Sequence, residues 1–164
     1  MSTVIGVFDN QSQAEKAVNK IREAGITEDK ISIVAKRDNI EGADEQQNQG
    51  NDATLTDQNL SGGTTTGGVL GGLAGILGGA GALAIPGVGP ILAAGPIAAG
   101  LTGAVAGGIA GGLIDMGIPE ERGQHYEQQV KQGKILATVE AEQNKIEDVT
   151  NFMRKNGASD VESH

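Results

Sequence analysis

The chain has 164 residues and a formal charge of −9, with no cysteine, and its only aromatic side chains are Phe8, Phe152 and Tyr126. The acidic balance and the lack of a Lys/Arg stripe exclude a nucleic-acid surface and a polybasic lipid-headgroup patch. The missing cysteines exclude a disulfide framework, a thiolate metal site and a cysteine nucleophile.

The length suits one domain, or a small domain carrying an insertion, with a core of Ile, Leu, Val and Ala. MSTVIGVFDN has no charged segment leading into a long apolar run, so no signal peptide is expected and the expected location is cytoplasmic. Thr3 to Phe8 is short, β-branched and apolar on both faces, which predicts an inner strand. Asp9 or Ser12 then caps a helix whose apolar stripe is Ala14, Ala17, Val18, Ile21 and Ala24, with Gly25 as its left-handed stop. Ile31 to Lys36 is the second strand.

From Arg37 to Thr66 the only large apolar residues are Ile40, Leu55 and Leu60, too few to offset the entropy of ordering, so a solvated, mobile linker is expected. Asp38, Glu41, Asp44, Glu45, Asp52 and Asp57 lack the spacing of a calcium loop, and no metal site is assigned.

Gln58 to Ile114 contains no charged side chain and holds most of the glycines. Gly67, Gly71, Gly75 and Gly79 recur every four residues, as do Gly103, Gly107 and Gly111, so a helical reading puts a smooth glycine groove on each arm. Opposite the second groove runs the row Ile97, Leu101, Val105, Ile109 and Leu113. A helical glycine costs up to about 1 kcal/mol relative to alanine, a penalty that only close backbone packing offsets. The expectation is a glycine-zipper helical hairpin, turning at Pro86 to Pro96. It self-associates through Gly67, Gly71, Gly75, Gly79, Gly103, Gly107, Gly111, Leu101, Val105 and Ile109. Each arm is also long enough for a bilayer core of about 30 Å, yet aromatic belts and Lys/Arg flanks are missing. A membrane-inserted hairpin is therefore the alternative. No GxxxxGK[ST] occurs, so a phosphate-binding role for the glycines fails.

Beyond Asp115, Pro119 opens a helix whose Tyr126 and Val130 face inward, with Gly133 as its stop. Ile135 to Ala141 is a third strand. A helix over Asn144 to Asn156 carries Ile146, Val149, Phe152 and Met153 on one stripe, and Ala158 to Ser163 is a short fourth strand. The two chain ends thus repeat a strand–helix–glycine pattern. This predicts an α+β, ferredoxin-like split βαβ sandwich with an inserted helical hairpin. The expected organisation is a first half over 1–36, a linker over 37–66, the hairpin over 67–114, and a helix plus second half over 115–164.

Candidate chemistry is sparse. His125 reads as a helix-surface residue, His164 as terminal and mobile, Glu120, Glu121 and Glu127 as an exposed helix face, and Tyr126 as core packing. No Ser or Thr has a neighbouring histidine motif. No catalytic, cofactor-binding or metal-ligating residue is therefore assigned, and no cofactor is expected.

VIGVFDNQSQAEKAVNKIREAGI, IPGVGPILAAGP and GIPEERGQHYEQQVKQGKILATV resemble the bacterial general (heat-induced) stress protein family with a YflT-type domain, and related glycine-zipper proteins. The resemblance implies a stress-associated, non-enzymatic bacterial protein and supplies no catalytic residues. The expected function is a structural protein that forms homo-oligomers through the hairpin, with membrane association as the alternative and a small-ligand sensor as a weaker third class.

Overall fold

The structure is a computed structural model and describes residues 1–40, 80–85, 87–103 and 108–164. It is an α+β fold. Its strands are β1 (Ser2–Phe8), β2 (Ile31–Lys36), β3 (Gly81–Ile85), β4 (Gly89–Ala94), β5 (Ile135–Ala141) and β6 (Ser159–Ser163). They form one antiparallel sheet in the order β3-β4-β2-β5-β1-β6. Its helices among the described residues are α1 (Gln11–Glu23), α2 (Pro96–Gly103), α3 (Gly108–Asp115), α4 (Glu120–Lys131) and α5 (Ile146–Lys155).

Period-two alternation explains why the central strands are apolar on both sides. One face carries Val4, Phe8, Ile31, Ile33, Ala35, Leu92, Ala94, Ile135, Ala137 and Val139, and it is covered by the α1 stripe Ala14, Ala17, Val18 and Ile21 and by Val149 and Met153 of α5. The other face carries Ile5, Val7, Val34, Ile91, Ala93 and Leu136, covered by Ile97 and Leu101 of α2, Ile109 and Leu113 of α3, and Tyr126 and Val130 of α4. The sheet is thus the middle layer of three.

The expected elements outside the glycine-rich block fall close to their predicted bounds. The cap of α1 is neither Asp9 nor Ser12 but Asn10, whose Oδ1 accepts from Gln13 N at 3.0 Å. Gly25, Gly133 and Gly157 close α1, α4 and α5 at φ +84°, +95° and +94°, the left-handed geometry in which glycine carries no Cβ penalty. The expected linker is described only at its start, where Arg37–Asn39 is a 3₁₀ turn and Ile40 is buried. The rest of it, and Gly67 to Gly79 of the first arm, lie outside the described residues.

The glycine-rich block departs from the helical hairpin over Gly81 to Ala94, whereas the described parts of its second arm are helical as expected. Gly81–Ile85 and Gly89–Ala94, expected as the end of a helix and a turn, are a β-hairpin. Val88 N donates to Ile85 O at 3.0 Å, and Gly87 and Gly89 turn the chain at φ +84° and +91°. Two causes favour strand here. Glycine and proline weaken a helix, whereas a short apolar run bounded by glycines fits a buried strand as well as a helix. β4 then gains a partner in β2 along Ile91 to Ala94, from Ile33↔Ala94 to Lys36↔Ile91. The described parts of the second arm are two short helices, α2 and α3, and Gly108, the first residue of α3, sits at φ +59°. The row Ile97, Leu101, Ile109 and Leu113 packs on this chain's own sheet.

Candidate functional site

Two places concentrate features that ordinary packing leaves over: the uncharged end of the sheet, and a polar cluster where α4 meets β6.

The uncharged end is built from β3, β4, α2 and α3. Glycine lets its backbones approach closely. A Cβ on Gly95, at φ +82°, would lie 2.1 Å from Ile31 O, so the β4–α2 corner rests directly on the β2 backbone. Ser32 Oγ accepts from Ile97 N there at 3.2 Å and gives an amide of the first turn of α2 a buried partner. A Cβ on Gly100 would sit 3.4 Å from Gly112 Cα, and one on Gly123 3.2 Å from Ala110 O, which marks close crossings of α2 with α3 and of α3 with α4. Glycine therefore serves helix contacts inside the chain at Gly100, Gly112 and Gly123, none of which is among the expected association residues. The exposed residues of this end include Ala99 of α2 and Ile114 of α3, and most of β3, an outer strand: Gly81, Ala82 and Ala84 are exposed, Leu83 and Ile85 half-buried.

α3 is held at its start by a carboxylate from α4. Glu127 Oε2 accepts from Ala110 N at 3.1 Å, and Oε1 pairs with Lys131 at 2.9 Å. Burial acts to raise the Glu127 carboxyl, but Lys131 and the Ala110 and Ile109 amides outweigh it and hold it below the usual carboxylate range.

The polar cluster ties α4 to the other edge strand. Arg122 grips Glu162 with a two-pronged bond, Nε donating to Oε2 at 2.8 Å and an NH2 group to Oε1. Tyr126 OH, with one proton to donate, lies 3.2 Å from Glu162 Oε2 and 3.3 Å from Asp160 O, beneath the Arg122 guanidinium 5.3 Å from its ring centre. His125 Nε2 lies 3.1 Å from Asp160 Oδ2, and His164 Nε2 3.2 Å from Glu162 Oε2. Burial pushes the Tyr126 phenol up to about 12, partly opposed by Arg122. The Glu162 carboxyl, which burial acts to raise, is held low by Arg122, His164 and Tyr126. The cluster satisfies itself and clamps β6; a phenol this weakly acidic is a poor proton donor at neutral pH.

The expected association residues divide among these surroundings. Leu101 and Ile109 are buried against the sheet and Gly111 is half-buried in α3. Gly103 ends α2, while Gly67, Gly71, Gly75, Gly79, Val105 and Gly107 lie outside the described residues. Tyr126 is in the core as expected. His164, expected to be mobile, is held through its main chain, with reciprocal 2.8 Å bonds to Thr3. Sequence reading missed the partnership of Arg122 with Glu162 and that of Glu127 with the start of α3. Each joins residues far apart in the chain through no local motif. Among the described residues no group of three or more His, Asp or Glu is placed to hold a metal ion.

The family described as heat induced stress protein YflT domain matches residues 3–84, from β1 into β3. The chain belongs to this YflT-domain family. In this member the match covers β1, α1 and β2, whereas the polar cluster, α4 and the α5–β6 end lie beyond it. No curated protein and no solved structure matches the chain.

Proposed function

We propose that this YflT-domain protein is a non-enzymatic, stress-associated structural protein that self-associates through its uncharged tract, Gln58 to Ile114, around a ferredoxin-like core. The stress association follows from the family. The ferredoxin-like reading is supported by the spatial order β6-β1-β5-β2 with α1 and α5 on one face, which is the arrangement of a split βαβ sandwich. A structural role is supported by the α4–β6 cluster, whose Arg, Tyr and Glu groups spend their bonding capacity on one another.

The observation that carries self-association is the exposed, chargeless end of a molecule whose charge of −9 lies entirely elsewhere in the sequence. Two such anions repel over most orientations and meet at least cost there. Inserting the hairpin into a bilayer is the weaker reading. No described helix is long and apolar enough to cross a membrane, and eight-residue α2 and α3 span only about 12 Å each. Sedimentation velocity of the full chain in detergent-free buffer, from micromolar to submillimolar concentration, tests the proposal. A rising mean mass is expected; a monomer at every concentration overturns it.

A further inference from the structure

The two edges of the sheet are guarded unequally. β6 carries Asp160 and Glu162, bends at Asp160 with φ +50°, and shifts register between Ile5 and Val7 of β1. Charges, kinks and bulges of this kind keep an edge from pairing with another strand. β3, with the sequence GALAI, carries none of these, and no side chain nearer in sequence than Asp57 or Asp115 is charged.

The pairing of β3 with β4 also shows which of its amides are free. Ala84 lies opposite Pro90, which has no N–H, so that pair cannot exchange two hydrogen bonds. Hydrogen-bonded pairs alternate along an antiparallel ladder, so Gly81, Leu83 and Ile85 bond to β4 while the N–H and C=O groups of Ala82 and Ala84 point away from the sheet.

We propose that two copies of this chain pair β3 against β3, antiparallel about a two-fold axis through Leu83, fusing two sheets into one. The proposal rests on the self-association reading above and names its surface. The strand is self-complementary in this register. The outward groups of Ala82 and Ala84 meet those of Ala84 and Ala82 of the partner subunit, which is a hydrogen-bonded pair on each side of the axis. Leu83 faces Leu83 of the partner subunit in a non-hydrogen-bonded pair, and Gly81 faces Ile85 of the partner subunit, a small residue against a large one. Leu83 and Ile85, half-buried against the helix-covered core of their own chain, extend that core across the junction. β3 itself carries no charged side chain to select a foreign strand, whereas a second copy brings the matching register and an equally uncharged approach. The pair is small, at the weak end of specific interfaces, so its formation is concentration-dependent.

Leu83→Cys tests the geometry directly. In a non-hydrogen-bonded pair the Cβ atoms sit about 4.5–5.5 Å apart, within reach of a disulfide after small adjustment, and the chain has no other cysteine. Oxidation of full-length Leu83→Cys at a concentration where the wild type associates is expected to give a covalent dimer. Adding Ala84→Pro, which removes an outward N–H at an edge position that tolerates proline, is expected to abolish the cross-link and weaken association of the otherwise wild-type chain about tenfold. Ala82→Lys is expected to do the same by bringing like charges together, and serves where circular dichroism finds Ala84→Pro misfolded. A wild type that associates while Leu83→Cys fails to cross-link, and while both edge variants associate normally, overturns this surface alone. A wild type that stays monomeric overturns the self-association reading with it.

Discussion

Gly95→Ala should be the most damaging Gly→Ala change among the described residues. The glycine stands at φ +82°, where an L-residue loses about 1–2 kcal/mol. The added Cβ would meet Ile31 O at 2.1 Å, Ser32 Cα at 2.8 Å and Ile31 C at 2.9 Å, all backbone of an inner strand that cannot rotate away. The β4–α2 corner must lift by about an ångström or more to restore ordinary contact. Lifting breaks the buried Ile97 N to Ser32 Oγ bond, at about 1–3 kcal/mol for an orphaned group, and loosens fully buried Ile97, worth about 1.5–3 kcal/mol when exposed. The expected loss is about 4 kcal/mol, a large part of the 5–15 kcal/mol that holds a typical domain together. Urea unfolding followed by circular dichroism measures it, and a fall in Tm of roughly 8–16 °C should accompany it. Gly87→Ala is the internal control: its φ of +84° is nearly the same, but nothing lies within 4 Å of the added methyl, so only the conformational penalty of about 1–2 kcal/mol should appear. Equal losses for the two variants would show that close approach to β2 contributes nothing, and would refute the account of this corner.

Glu127→Ala should orphan the amides at the start of α3 and cost about 1–2 kcal/mol; protection of the α3 amides in hydrogen exchange, lost before that of β1 and β5, checks this. Tyr126→Phe removes a partly buried hydroxyl bonded to both Glu162 and Asp160, and should cost about 1 kcal/mol in urea without changing the secondary structure. Arg122→Met should fray β6, seen as faster exchange at Val161 and Glu162 while α1 and β2 are unaffected. Glu127 and Glu162 both have carboxyls held below their ordinary value in the folded chain, so the stability they supply is present above about pH 4.5 and is lost as pH falls through their folded values. Acid titration followed by hydrogen exchange should therefore open α3 and β6 ahead of the rest, and Glu127→Gln should remove the α3 part of that response.

Local pattern determined the elements that local physics governs. The β-branched run Thr3 to Phe8, the stripe Ala14–Ala17–Val18–Ile21, the inward pair Tyr126 and Val130, and the stops at Gly25, Gly133 and Gly157 all follow from strand alternation, helical spacing and the left-handed tolerance of glycine. The residues of the polar cluster were visible, but not their bonds, because Arg122 and Glu162 meet only once α4 and β6 are folded side by side. Gly81 to Ile85, expected as helix, and Gly89 to Ala94, expected as part of a turn, are strands for a different reason: short apolar segments rich in Gly and Ala carry little local preference. Tertiary pairing with the open edge of β2 chose strand. The same holds for the row Ile97, Leu101, Ile109 and Leu113. Its sequence required that it be covered, but only the fold decided that the cover is this chain's own sheet, since burial is non-directional and any apolar face of the right shape satisfies it.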